Sequence, residues 1–277
     1  GPSFNANSLI NNLLFEDTNS NFFRINTKIE IDIDKIFLDN EYNLFDLEGD
    51  IVFKDKEISK ANLNGNFSKD KKLKFTLNTK NKNKFTTLYV DKAEPILDRY
   101  KFIKGFKGGS LDFYSKKTGN ESISTIKIYD FNLKELPVLT KILTLASLQG
   151  IADLMSGEGI GFDEFEMQFK NTKDLITIDE IYAIGPAISI LMKGYVEKDK
   201  LVSLRGTLVP ATTINKVIGS IPILGQILVG SKTGEGVFGV SFKIKGPQKN
   251  LETSVNPIKT LTPRFITRTL ERIKGTN

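Results

Sequence analysis

Strict alternation of apolar and polar residues constrains this chain more than any other feature. Ile29, Ile31 and Ile33 are separated by acidic residues, so that one side of the segment is apolar and the other is charged. A period of two with one polar side is typical of antiparallel strands that bury a single face. The same alternation recurs along the chain in the segments Phe45 to Phe53, Leu73 to Leu77, Ile126 to Leu133, Phe165 to Phe169 and Val240 to Ile244.

Turn signals such as Asn64-Gly65, Gly108-Gly109 and Gly119-Asn120 separate these segments at short intervals. They divide the chain into roughly ten to thirteen strands, with no strand–helix–strand rhythm. The sequence therefore predicts a mainly β (β-rich α+β) fold, built on one long, twisted, antiparallel, up-and-down sheet. The sheet is expected to curl into a trough or a sandwich with an apolar inner face, accompanied by a few short helices.

Four segments depart from the alternation and predict helices. Residues 93–100 indicate a short helix, and Leu136–Met155 indicates a largely buried one with Pro137 in its first turn and Gly150 as a point of division. Residues 211–228 predict two short helical pieces broken at a proline. Residues 262–273 predict an amphipathic C-terminal helix with a stripe of arginines.

The first three residues, Gly-Pro-Ser, resemble a protease-cleavage scar, so the natural protein is expected to extend further towards its N terminus. No segment reaches the roughly 20 apolar residues of a membrane-spanning helix, and any anchor is expected outside this sequence. Residues 4–277 are predicted to form one domain. Its parts are strands over 4–134, a buried helix over 135–157, strands over 158–210, a broken helix and glycine turn over 211–235, strands over 236–256 and the C-terminal helix over 262–273.

The absence of His, Cys and Trp from all 277 residues narrows the possible chemistry. Without His and Cys, the commonest general base, the thiol nucleophile and the thiolate ligands of zinc are all missing. Any chemistry that remains would need carboxylates, Lys, Ser or Tyr. Because these residues form no convergent polar site in the sequence, we expect no enzymatic activity, catalytic residue, metal site or cofactor. The formal net charge of +6 fits an anionic partner, but it also fits a solvated basic surface.

A glycine-rich stretch, Ile218 to Phe242, resembles a phosphate loop but fails two requirements. The motif needs Gly-x4-Gly-Lys-Ser/Thr, and here Ser231 separates Gly230 from Lys232. The stretch also follows a helical segment and opens a strand, whereas a phosphate loop follows a strand and opens a helix. Two interpretations remain: a broken helix packed on the end of the sheet before a glycine turn, or an exposed tip that contacts lipid.

Carboxylates cluster at Asp163, Glu164 and Glu166, and alternation places Glu164 and Glu166 on one face of a strand. Paired carboxylates can perform acid–base chemistry or bind a hard cation, but on the polar face of a sheet they are more often solvated. The phenylalanines mostly occupy the apolar phase, which argues against nucleic-acid binding. What remains is a large apolar face, either covered by a second sheet or lining a groove for an apolar ligand.

Several motifs, in order, resemble one protein family. They are "GGSLDF" from Gly108, "IKIYDFNLKELPVLTKILTLASLQGIADLMSGEGIGFDEFE" from Ile126, "GPAISILMKGYV" from Gly185 and "SVNPIKTLTPRF" from Ser254. Together with the stretch from Gly206 to Ile266, they are similar to the C-terminal region of the AsmA-like proteins of Gram-negative envelopes, the group that includes YhdP and is related to TamB. The resemblance covers residues 25–273 and is strongest after Gly108.

The resemblance implies a periplasmic C-terminal part of a protein that an N-terminal helix anchors in the inner membrane. It implies a bridge that carries phospholipid towards the outer membrane along an apolar β-groove, without enzymatic activity. The expected partners are phospholipid or another acyl lipid and outer-membrane or envelope proteins, with no nucleic acid. The alternative is a non-enzymatic docking module for outer-membrane biogenesis, with a closed core and no lipid cargo, in which the helix Leu136–Met155 plugs the trough.

Two sets of residues follow as candidates for lipid contact. The alternating apolar residues that would line the groove are Ile29, Ile31, Leu47, Phe75, Ile126, Ile128, Phe165, Met167 and Phe242. The residues that would contact a membrane lie in the broken helix and on the arginine stripe: Ile221, Ile223, Leu224, Ile227, Leu228, Arg264, Arg268 and Arg272.

Overall fold

The alternating segments form the strands of a sheet. A computed structural model describes residues 1–7, 26–55, 57–98, 105–134, 136–210 and 239–258. The strands described there are β1 (Phe4–Asn5), β2 (Thr27–Phe37), β3 (Asn43–Lys54), β4 (Glu57–Ser68), β5 (Lys71–Lys80), β6 (Asn83–Val90), β7 (Lys107–Thr118), β8 (Glu121–Leu133), β9 (Ile160–Asn171), β10 (Leu175–Ile184), β11 (Ile188–Glu197), β12 (Leu201–Pro210), β13 (Gly239–Gly246) and β14 (Glu252–Ile258). The helices are α1 (Glu94–Leu97), α2 (Pro137–Leu145) and α3 (Gln149–Ser156).

The strands are hydrogen-bonded in the order in which they occur in the chain, from β1 at one edge to β14 at the other. Pairing is antiparallel from β2 to β7 and from β10 to β14, whereas β1 pairs in parallel with β2. The prediction of a mainly β, antiparallel, up-and-down sheet with a few short helices is confirmed. The described strands outnumber the ten to thirteen expected, in part because β1, with two residues, is too short to show alternation.

The contacts within the chain group it into two compact units. Unit 1 comprises Gly1–Phe131 and Gln168–Lys173, and unit 2 comprises Asn132–Met167 and Asp174–Asn277. The boundaries therefore fall within β8 and β9, and each of these strands contributes residues to both units. The two units differ in how far they bury their apolar residues.

Unit 2 has a closed core. Leu208 on β12 lies directly opposite Val240 on β13, and these side chains are 0% and 5% exposed. Two residues along, Phe242 lies opposite Gly206, and a Cβ added to that glycine would stand 2.5 Å from the end of the phenylalanine ring. Val209, which faces the other side of the sheet, is also fully buried, so both faces of β12 are covered at this end.

The helix predicted over Leu136–Met155 is divided into α2 and α3 before Gly150 is reached. Ser147 adopts a left-handed conformation with φ of 59° and donates its N–H to the Thr144 carbonyl, 3.0 Å away. Leu148 donates to the Leu143 carbonyl at 2.8 Å, which completes the hydrogen-bond pattern that ends many helices at a glycine. Here a serine occupies the glycine position, so the sequence carries no glycine signal at the break.

Replacing Ser147 with Gly is expected to raise the free energy of unfolding by about 1 kcal/mol, because Gly adopts the left-handed region without the steric cost of a side chain. The matched change Thr144→Gly, at an exposed position inside α2, should instead lower it by roughly 0.3 kcal/mol, because Gly is a slightly poorer helix former than Thr. Urea titrations followed by circular dichroism measure both values. A destabilised Ser147→Gly protein would contradict the division of the helix at this residue.

Two buried serines differ in whether their hydroxyls are paired. Ser189 is 0% exposed and, among the buried groups that the structure describes, its hydroxyl has no hydrogen-bond partner. Ser124 is 3% exposed and donates to the Ser115 hydroxyl at 2.8 Å. A buried polar group without a partner loses its hydration and gains nothing in return.

Ser189→Ala is therefore expected to raise the free energy of unfolding by about 1 kcal/mol or more, and Ser124→Ala to lower it by about 1 kcal/mol. Thermal unfolding of the two variants and the parent chain provides the comparison. If both substitutions lowered the midpoint equally, the Ser189 hydroxyl would have to be satisfied in solution.

Candidate functional site

The strand register in unit 1 brings the alternating apolar residues onto one face of the sheet. One row crosses six strands, each residue directly opposite the next: Ile31, Gly49, Leu63, Phe75, Leu88 and Phe113. Strand β8 joins the same surface, because the Ser124 hydroxyl reaches the Ser115 hydroxyl of β7. Ile126 and Ile128 follow Ser124 by two and four residues and so share its face. This surface, from β2 to β8, is the apolar face of unit 1.

Most side chains in the middle of the apolar face are half-buried, although Ala61, Leu77, Ser124 and Ile128 are buried. In a closed sandwich the inward side chains interdigitate with a second layer and are buried. Helix α1 lies beside the start of β7, where Ala93 donates its N–H to the Gly109 carbonyl at 2.7 Å. The half-buried side chains are Ile29, Ile31, Ile33, Leu47, Ile51, Leu63, Phe75, Leu88, Phe113 and Ile126.

One end of the apolar face is closed. Val90 and Leu111, which lie directly opposite each other, are 0% and 4% exposed. The ring of Phe106 stacks on that of buried Phe131 with their centroids 5.2 Å apart, and Leu97 of α1 is buried as well. The side chains at this end therefore form a small core that seals the face.

The other end of the face carries charged groups. Lys84 lies opposite Lys117, in the same phase as Leu88 and Phe113. The Lys84 ammonium donates to the Glu57 carboxylate at 2.9 Å. This hydrogen bond, and then the positive charges of Lys84 and Lys117, hold the pKa of Glu57 below its usual value. The apolar face thus ends in groups that prefer water.

The opposite face of unit 1 is polar. Its side chains alternate with those of the apolar face along each strand, and they are exposed to solvent. The unit is therefore a sheet with one solvated face and one half-buried apolar face. Examples of the exposed polar side chains are Glu30, Asp32, Lys60, Asn62, Asn64, Lys74 and Asn78.

Six of the nine candidate groove residues lie together on the apolar face of unit 1: Ile29, Ile31, Leu47, Phe75, Ile126 and Ile128. The other three belong to unit 2. Phe165 and Met167 of β9 are half-buried, whereas Phe242 is 3% exposed and packs in the closed core. The apolar face of unit 1 is therefore the candidate binding surface.

Glu166 does not lie on a solvated face, so that part of the prediction is wrong. Glu166 is 5% exposed, and alternation along β9 places its side chain on the same face as those of Ile160 and Phe162, which are buried too. The other phase of β9, with Phe165 and Met167, is only half-buried. Within the described ranges, no group of three or more Asp, Glu, His or Cys side chains could hold a metal ion.

The candidate membrane-contact residues, from Ile221 to Leu228 and from Arg264 to Arg272, lie outside the described residues. In the part of the chain that the structure does describe, no helix is both long enough and apolar enough to cross a membrane.

Sequence reasoning missed several residues of the candidate surface. Leu88 and Phe113 stand in short alternating runs, "TTLYV" and "LDFYS", and a shorter window would have found them. Lys84 and Lys117 carry no local signal, because their position at the margin follows from pairing between strands.

Comparisons with protein-family models, curated proteins and solved structures find no match for this chain.

Proposed function

We propose that this chain is the periplasmic, C-terminal part of an AsmA-like, bridge-like lipid-transfer protein, which carries phospholipid between the inner and outer membranes. The observation that carries the proposal is the half-buried apolar face of unit 1. The resemblance of the ordered motifs from Gly108 onwards supports the family, the compartment and the membrane partners. The proposal needs no catalytic group or cofactor.

The dimensions and chemistry of the apolar face suit acyl chains. Seven strands about 4.8 Å apart extend the surface over roughly 30 Å along the sheet. That equals the hydrocarbon thickness of a bilayer, roughly 30 Å, which two acyl chains fill end to end. Every residue in the row from Ile31 to Phe113 except Gly49 has an apolar side chain. Neighbouring positions along the row therefore offer an acyl chain similar surroundings. Similar sites without strong polar contacts give low barriers to sliding.

The charged margin at Lys84 and Lys117 fits the same proposal. A phospholipid that lays its chains on the apolar face must keep its headgroup in water. Cations beside the end of the face can attract the headgroup phosphate without a dedicated pocket. Glu57 moderates that attraction by pairing with Lys84.

A second candidate function is a structural docking module without lipid cargo, and the closed core of unit 2 favours it. Helix α2 lies against β14 and buries Leu139, Ile142 and Leu143. Unit 2 offers no half-open apolar row comparable to that of unit 1 among its described β12 and β13 residues, since Leu208, Val240 and Phe242 are buried. Under this alternative, unit 1 would also have to exclude lipid.

Phe75→Glu is expected to lower phospholipid occupancy at least tenfold, because a carboxylate against an acyl chain costs more than the roughly 1.4 kcal/mol that a tenfold change requires. Native mass spectrometry of the delipidated chain after incubation with vesicles measures occupancy. A fluorescent-lipid assay between donor and acceptor vesicles measures transfer.

The matched control is Lys74→Glu, which introduces the same residue one position earlier, on the exposed polar face. It should retain lipid binding, as should the apolar change Phe75→Leu. Circular dichroism establishes that all three variants are folded. Parent protein that is folded yet takes up no phospholipid would refute the proposal and favour the docking module.

A further inference from the structure

The polar face of unit 2 carries three cations in one row. Lys193 on β11 lies directly opposite Arg205 on β12, and Arg205 lies directly opposite Lys243 on β13. All three side chains are exposed. Neighbouring strands are about 4.8 Å apart, so the row spans roughly 10 Å. These three residues form the basic row of unit 2.

The basic row is costly for the sheet. Like charges directly opposite each other destabilise an antiparallel pair, by up to about 1 kcal/mol. Among the residues that the structure describes, none of the three cations forms an ion pair, whereas Lys84 of unit 1 is paired with Glu57. Alternation requires only that the residues at these three positions be polar. Neither the fold nor ion pairing therefore explains why all three neighbouring strands carry a cation there.

A second row beside the cations supplies neutral polar groups. Thr207, Ser241 and Asn256 lie directly opposite one another, two residues along from Arg205 and Lys243. The Ser241 hydroxyl already reaches the Asn256 carbonyl at 3.3 Å, so the hydroxyl lies at the surface of this row. Both rows line one open depression of about 430 Å³, a volume in the range of small-ligand sites.

The charge within the depression is uneven. Asp179 and Glu180 line its β10 side, where a bulge interrupts the pairing with β11, and Glu180 is buried. These carboxylates stand closest along the sheet to Lys193. Arg205 and Lys243 lie one and two strands further away, so the most positive part of the depression is over β12 and β13.

We propose that this depression binds a phosphate-bearing ligand, with Arg205 and Lys243 as its principal cationic contacts. The planar guanidinium of Arg205 can donate two parallel hydrogen bonds to phosphate oxygens, and the Lys243 ammonium supplies a second charge on the next strand. Thr207, Ser241 and Asn256 offer hydroxyl and amide donors at the same site. The inference does not rest on lipid transfer, because it concerns the polar face of unit 2 and not the apolar face of unit 1.

The shared chemistry is a phosphate group, which a soluble phosphate compound or a lipid headgroup could supply. Isothermal titration calorimetry with inorganic pyrophosphate tests the first source on the full chain. Co-sedimentation with phosphatidylcholine vesicles, with and without phosphatidylglycerol, tests the second. Binding is expected to weaken as salt concentration rises, since exposed charges are screened.

The Arg205→Gln/Lys243→Gln double variant is expected to bind pyrophosphate at least tenfold more weakly than the parent chain, the order expected for lost charge-assisted hydrogen bonds. The control Lys60→Gln removes an exposed cation from the polar face of unit 1 and should bind like the parent. The double variant should unfold at the same temperature as the parent or higher, because it relieves a like-charge pair.

Pyrophosphate binding lost in the double variant alone supports the site and assigns a soluble ligand. Binding to phosphatidylglycerol vesicles that depends on the basic row and that pyrophosphate displaces supports the site and assigns a headgroup. The proposal is overturned if the parent binds neither probe, or if Lys60→Gln loses as much as the double variant. A double variant that alters self-association without altering pyrophosphate binding also overturns it, in favour of a second copy of the chain.

Discussion

The rest of this structure depends on the register of its antiparallel strand pairs. Residues that lie opposite each other in a strand pair have their side chains on the same face of the sheet. Each pair therefore aligns the apolar positions of one strand with those of the next. The row from Ile31 to Phe113 is aligned through five successive pairs in this way. A slip of one residue in any pair would move every apolar side chain of the later strands to the charged face. Alternation and register together therefore produce the amphipathic sheet.

Interruptions of the alternation occur where unit 1 closes. Asp46 and Asp130 adopt left-handed conformations, with φ of 51° and 52°, which Asp tolerates better than most residues. The alternation shifts at Asp46, so that before this residue Leu44 rather than Phe45 lies over Gly65, with its Cδ2 3.1 Å from where a Cβ of that glycine would stand. After Asp130, buried Phe131 follows buried Ile128 by three residues instead of two. Both shifts turn large apolar side chains into the closed end of the face.

Local periodicity was sufficient to predict the fold class, the order of neighbouring strands and six residues of the apolar face in unit 1. It failed where the deciding contact is not local. The break at Ser147 has no glycine to mark it, and the burial of Glu166 depends on which phase of β9 is covered. The pairs Lys84–Lys117 and Arg205–Lys243 join residues 33 and 38 positions apart, and only the register reveals them. The site could therefore be predicted as an apolar face, but not with its charged margins.

The two units differ in how completely they bury their apolar residues, and this difference makes the half-buried apolar face of unit 1 notable. Apolar surface left in water forgoes about 25 cal/mol per Å², so a contiguous apolar face is unfavourable unless something covers it. Isolated exposed residues, such as Ile123 and Tyr114 at 55% and 47%, need no such explanation. Unit 2 shows that the same alternation, in the same chain, can bury its apolar row at Leu208 and Val240 almost completely. Alternation itself therefore does not prevent closure, and the half-buried middle of unit 1 is the surface that the proposed acyl ligand would cover.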